Sequence, residues 1–89
     1  MLLFVKPSGC IPVSQIIIPL ERVYNIVAVG RKININYDSG EVVYIENSYE
    51  KKIDTVSIDF VDDDEVNKIL RQFYKAVNNQ SNAFYFGTL

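Results

Sequence analysis

Asp59, Asp62, Asp63, Asp64 and Glu65 place five carboxylates within seven residues, the densest set of chemistry-bearing side chains in the sequence. A divalent-cation site is the chemistry such a cluster would support. Calcium loops, however, carry acids at alternate positions and a glycine at the bend, and this stretch has neither. The same residues suit a helix start. Asp62 is placed to accept from the amide of Glu65, Glu65 to reach back, and acids in a first turn complement the positive end of the helix dipole. Capping is the preferred reading, and no metal is expected.

Other catalytic chemistry is limited by composition. The chain has no histidine and a single cysteine, Cys10. That excludes Ser-His-Asp and Cys-His catalysis and histidine-ligated metal sites. A reactive thiol needs cations or a helix start beside it. Lys6 is the one local cation, so Cys10 reads as a small apolar residue. One cysteine forms no intrachain disulfide, which suits a reducing cytoplasm. Ser8-Gly9-Cys10 has the look of a lipoprotein cleavage site, but Lys6 interrupts the short apolar run Leu2-Leu3-Phe4-Val5, and no signal is read. Gly9, Gly30, Gly40 and Gly87 are too scattered for a phosphate loop or a dinucleotide fingerprint. Glu41, Glu46 and Asp59 lie on expected strands, where solvated faces are the default. No cofactor and no enzymatic activity are expected.

Two features point to binding. Gly30-Arg31-Lys32 is a basic hairpin tip, and Arg31 and Lys32 are the candidate contacts for a phosphate or a small acidic ligand. Phe84, Tyr85 and Phe86 form an aromatic segment with a large apolar area to withdraw from water. They either dock on the domain's own core as an edge strand or anchor a partner chain, because aromatics are enriched where binding energy concentrates. Tyr49, in a polar stretch, is a second anchor candidate.

The elements that would position these residues are legible in the pattern. Val66, Ile69, Leu70, Phe73, Tyr74 and Val77 recur at helical spacing and predict one apolar stripe on a helix over about 62–78. Lys75 in its last turn complements the dipole, and Asn78-Asn79 would stop it through a left-handed residue. Before the helix the chain reads as strands. Met1 to Val5 is the first, and the β-branched run from Ile11 to Ile18 follows, confined by Pro12 and Pro19. Gly30-Arg31 predicts a two-residue hairpin over 29–32. Lys32 to Tyr37 alternates, with Ile33, Ile35 and Tyr37 inward. Asp38-Ser39-Gly40 predicts a second hairpin over 37–41, closed by a left-handed Gly40. The run Val42 to Ile45 suggests burial on both faces or a bulge. The polar stretch 47–54 reads as a loop, and Thr55 to Phe60 alternates again.

The fold class is therefore α+β: an antiparallel sheet of about five to six strands packed against one C-terminal helix. Residues 1–82 form one domain, and 83–89 dock on it or on a partner. The order of elements is similar to that of pleckstrin-homology-like domains. That resemblance rests on layout alone, carries no motif, and implies no function.

Size and charge narrow the partners. Area scaling for an 89-residue chain of 10.2 kDa gives a folded surface of roughly 5,300 Å², with about 64% of the unfolded surface buried. The core is thin, and self-association would support it. Eleven acids against nine bases give a net charge of −2. There is no basic stripe to meet nucleic acid and no apolar run long enough to span a bilayer. The sequence thus reads as a small non-catalytic protein-interaction or regulatory module of the cytoplasm, acting on a protein partner or by self-association. The alternative is a small-ligand or anion-binding module using Arg31 and Lys32.

Overall fold

The computed structural model describes residues 1–7 and 15–87. Ser8, Gly9, Cys10 and Pro12, with the first half of the expected strand at Ile11–Ile18, lie outside the described residues. The elements run β1 (Leu2–Val5), β2 (Ile16–Pro19), a single 3-10 turn (Leu20–Arg22), β3 (Val23–Val29), β4 (Lys32–Ile45), β5 (Ser48–Asp59), α1 (Asp63–Asn78) and β6 (Ala83–Phe86). The fold is α+β with six strands among the described residues, divided between two sheets rather than joined in one. The small sheet has the order β2-β1-β6, and the large one β3-β4-β5.

The small sheet is mixed. β1 pairs antiparallel with β2 and parallel with β6, so Leu3 sits between Ile18 and Phe84, and Val5 between Ile16 and Phe86. This parallel partner is non-local and has no signature in the order of residues. The likeness to pleckstrin-homology-like domains is not confirmed, since the strands form two sheets and one strand, β6, follows α1.

The large sheet is antiparallel throughout. Alternation decides its faces. Ile33, Ile35, Val56 and Ile58 turn inward and are buried. They meet Leu3, Val5, Ile18 and Phe86 from the small sheet and Val66 and Phe73 from α1 in one apolar cluster. The two-residue hairpin over 29–32 is present: Val29 pairs with Lys32, and Gly30 takes a φ of +59°.

The second expected hairpin is not a turn. β4 runs straight through 37–41 and reverses only at Glu46-Asn47, where both residues have positive φ. At Asp38-Ser39-Gly40 the strand carries a bulge instead, since Asp38 pairs with Ile53 and the next registered pair is Val42 with Lys51. Turn chemistry and bulge chemistry coincide here. The Gly40 amide donates to Asp38 Oδ1 at 2.9 Å, the Glu41 amide to Ser39 Oγ at 3.2 Å, and Gly40 adopts φ +86°. These bonds satisfy the backbone that a bulge takes out of the ladder. As a consequence, residues 48–54 are strand rather than loop, and the run Val42 to Ile45 is not buried on two faces: Val42, Tyr44 and Ile45 are all exposed.

Helix α1 begins where expected. The Glu65 amide donates to Asp62 Oδ1 at 2.8 Å, and Glu65 Oε2 accepts from the amide of Val61, one residue before the cap, at 3.4 Å. The apolar stripe is narrower than its spacing implies. Val66 and Phe73 are buried and Ile69 and Leu70 half-buried, while Tyr74 (65%) and Val77 (38%) face water. The helix ends at Asn78 as expected, but the left-handed residue falls one position beyond Asn78-Asn79. Asn79 has φ −86°, and Gln80, at φ +54°, is the left-handed residue; the Ser81 amide donates back to Ala76 at 3.0 Å. Among the described residues no helix is long and apolar enough to cross a membrane.

The molecule is extended for its size. Its surface is 6286 Å², well above the roughly 5,300 Å² expected from its mass. Its radius of gyration is 14.2 Å and its long dimension 45 Å, against about 12 Å for the radius of a compact chain of this length. A two-stranded projection beyond the body accounts for the direction of both departures.

Candidate functional site

The C-terminal aromatics are placed in cis. Phe86 is buried at 2% exposure, and Phe84 is half-buried. With Phe73 of α1 they form a cluster of rings: Phe73 lies 5.4 Å from Phe84 and 5.2 Å from Phe86, and Phe84 lies 4.9 Å from Phe86. Strand alternation puts Tyr85 on the opposite face. There it stacks on Phe4 at 4.8 Å with its ring half-exposed. Of the three, Tyr85 is the side chain left facing outward. Leu2, Phe4, Ile17 and Tyr85 give the small sheet an apolar outer face.

Arg31 and Lys32 share a shallow open depression of about 320 Å³ with Val29, Asp59 and Phe60. Lys32 Nζ lies 3.7 Å from Asp59 Oδ1, so this depression already contains a carboxylate. Arg31 contributes its backbone carbonyl to the fold by accepting from the amide of Phe60 at 2.8 Å. The larger depression, about 550 Å³, is lined by Asp64, Lys68, Arg71, Gln72, Tyr74 and Lys75. All six belong to α1, so it is the flank of one helix with no second wall. Among the described residues no three metal-ligating side chains converge.

What the sequence reading missed is the distal half of the β4–β5 hairpin. β3 ends its pairing at Val23 with Tyr37. From Asp38 to Asp54 the chain is a two-stranded ribbon in which β4 and β5 pair with each other beyond the end of β3, with the Arg22 guanidinium lying beside Gly40 at its base. The change in its outer face is abrupt. Over the body the β4 and β5 side chains on that face are polar and internally bonded, with Val27 and Val29 of β3 exposed beside them: Asn36 Nδ2 donates to Asn25 at 2.6 Å, Thr55 Oγ1 donates to Asn36, and Ser57 Oγ donates to Asn34 at 2.7 Å. Over the ribbon the same face presents Val42, Tyr44, Tyr49 and Ile53, with exposures of 61, 61, 78 and 54%. Cross-strand register makes Tyr44 and Tyr49 direct partners and sets Val42 opposite Lys51.

Charges tie the two strands of the ribbon together near its base. Lys51 lies 3.6 Å from Asp38, and Lys52 lies 3.3 Å from Glu41, so two ion pairs straddle the bulge. Ser39 Oγ donates to the carbonyl of Lys52 at 3.0 Å. Inside the same region, burial and then the Asp54 carboxylate push the Tyr37 phenol above its ordinary pKa of 10.0. Tyr37 and Asp54 are registered partners on the inner face, where the ribbon leaves the core.

Neither a protein-family model nor a curated protein nor a solved structure matches this chain.

Proposed function

We propose that this chain is a small non-catalytic protein-interaction module, and that the ribbon of β4 and β5 is the surface it offers. One observation carries the reading. A two-stranded ribbon is marginal in water on its own, yet this one exposes four large apolar side chains on a single face instead of burying them. Taking a large side chain at about 200 Å², the four expose roughly 500 Å², the upper range of the largest apolar patch on a monomer. Such patches mark contact surfaces, and aromatic anchors are where contact energy concentrates.

The partner is a protein rather than a nucleic acid. Between Asp38 and Asp54 the chain carries Asp38, Glu41, Glu46, Glu50 and Asp54 against Lys51 and Lys52, a net charge of −3 that would repel a phosphate backbone. A reducing, cytoplasmic setting fits the single cysteine. The basic tip at Arg31 and Lys32 is the weaker candidate, since Asp59 partly neutralises it.

The test is a variant in which residues 39–52 are replaced by Asn-Gly, joining the registered pair Asp38 and Ile53. It should melt within a few degrees of the wild type, because the ribbon lies outside the apolar cluster, and it should lose the protein partners that tagged wild type retains. Equal retention by both proteins would overturn the reading.

A further inference from the structure

We infer that the ribbon's partner is a second copy of this chain, joined ribbon to ribbon through the face of Val42, Tyr44, Tyr49 and Ile53. This rests on the ribbon being an interaction surface and commits to its occupant. The face is suited to meet its own image. Its charged residues, Lys51 and Asp38, form an ion pair at 3.6 Å, so the surface between the tyrosines and Ile53 is neutral. Glu50 pairs with Val43 in the ladder and thus alternates onto the opposite face. A two-fold axis running along the ribbon therefore sets Tyr44 against the second copy's Tyr49 and places Lys51, already paired with its own Asp38, over the second copy's Val42, so that no like charges meet at its centre.

The area agrees. Burying roughly 500 Å² on each copy gives about 1,000 Å² in all, the lower bound for a specific contact. That places the pair among reversible associations rather than obligate dimers. Each copy also gains what it lacks. The ribbon, open on this face, becomes one layer of a two-layer sheet packing, the arrangement in which exposed strand faces are ordinarily buried.

The net charge of −3 on each ribbon gives the association a distinctive sign. Two like-charged ribbons repel at distance, and salt screens that repulsion. Raising ionic strength should tighten the pair. The opposite geometry, an acidic ribbon laid on the exposed Lys68, Arg71 and Lys75 of a neighbour's helix, would weaken with salt.

Sedimentation equilibrium over a broad concentration range decides the matter. Wild type should show a reversible monomer–dimer equilibrium, tightened severalfold between about 50 and about 500 mM salt. The Tyr44→Ser/Tyr49→Ser variant should be monomeric at concentrations where wild type is mostly dimeric. Ile53→Asn, at the other end of the face, should weaken the dimer at least fivefold, whereas Tyr85→Ser, on the small sheet, should leave it unchanged. Circular dichroism melts confirm that each variant folds. A dimer indifferent to Tyr44 and Tyr49, or one dissolved by salt or by Arg71→Ala, overturns the inference. So does a wild type that is monomeric throughout. If that monomer still loses a protein partner when the ribbon is removed, self-pairing alone falls. If it loses none, the interaction reading falls as well.

Discussion

Tyr44 and Tyr49 face each other across the ribbon with ring centroids 5.0 Å apart and planes tilted by 53°, and both rings remain largely in water. The contact holds β4 to β5 near the tip, where Tyr44 Oη also donates to Asn47 Oδ1 at 3.2 Å. A cross-strand aromatic pair contributes roughly 0.2–1 kcal/mol to its sheet. Tyr44→Ser/Tyr49→Ser should therefore lower the folding free energy by no more than about 1 kcal/mol, read as the urea midpoint of dilute protein. A loss of several kcal/mol would mean that these rings support the core.

The tip itself is open to improvement. Glu46 and Asn47 both have positive φ, at 49° and 65°, the backbone of a two-residue turn that favours Asn-Gly. A glutamate in that conformation is strained relative to asparagine or glycine. Replacing Glu46 with Asn and Asn47 with Gly should stabilise the ribbon by about 0.5–1 kcal/mol. Amide hydrogen exchange at Ile45, Val43 and Glu50, whose pairs exchange ladder hydrogen bonds next to the turn, should slow accordingly, while exchange at Ile33 and Ile58 stays as it was.

β6 gives a paired comparison one residue apart. Phe86 is fully packed among Phe73, Phe84 and the core, whereas Tyr85 leaves half its ring outside. Phe86→Ala should cost about 3–5 kcal/mol, enough to unfold most of a domain this thin at 37 °C. Tyr85→Ala loses one stacked contact with Phe4 and should cost about 1 kcal/mol. Thermal melts of the two variants distinguish this from an aromatic segment held in reserve for a partner, for which Phe86→Ala would be mild.

The alkaline limb of stability should report on Tyr37. Its folded pKa lies above 10.0, through burial and then the Asp54 carboxylate, so the folded chain holds the phenol proton more tightly than the unfolded chain. That contribution is complete below the unfolded pKa and is lost as pH rises through the folded one. The denaturation midpoint of wild type should fall more steeply above about pH 10 than that of Tyr37→Phe, which has no phenol to ionise. Parallel curves for the two proteins would contradict the assignment.

What could be read in advance was what is local. Asp62, Glu65 and the spacing of Val66, Ile69, Leu70 and Phe73 locate α1 because caps and helical periodicity are encoded within a few residues. Gly30-Arg31 locates a turn for the same reason. The misreadings all concern context. Asp38-Ser39-Gly40 carries the side-chain acceptors and the positive φ of a turn, but β4 uses them to make a bulge, while the actual turn at Glu46-Asn47 has weak turn chemistry. The run Val42-Val43-Tyr44-Ile45 suggests burial on both faces or a bulge; the bulge lies just before it, between Asp38 and Val42, and nothing within the run says whether a second layer exists. The pairing of β1 with β6 joins Leu3 to Phe84 across almost the whole chain, and no local pattern carries it. As for the candidate site, Tyr49 was legible as an exposed aromatic. Its partnership with Tyr44 depends on a register that the misplaced turn concealed.

The most direct test of the ribbon as a contact surface is amide hydrogen exchange on the wild-type chain, compared between dilute and concentrated solutions. Protection should rise with concentration across residues 42–53 and stay constant on α1 and the small sheet. Concentration-independent exchange in the ribbon, or protection that appears instead along Lys68–Lys75 or at Tyr85, would contradict the account.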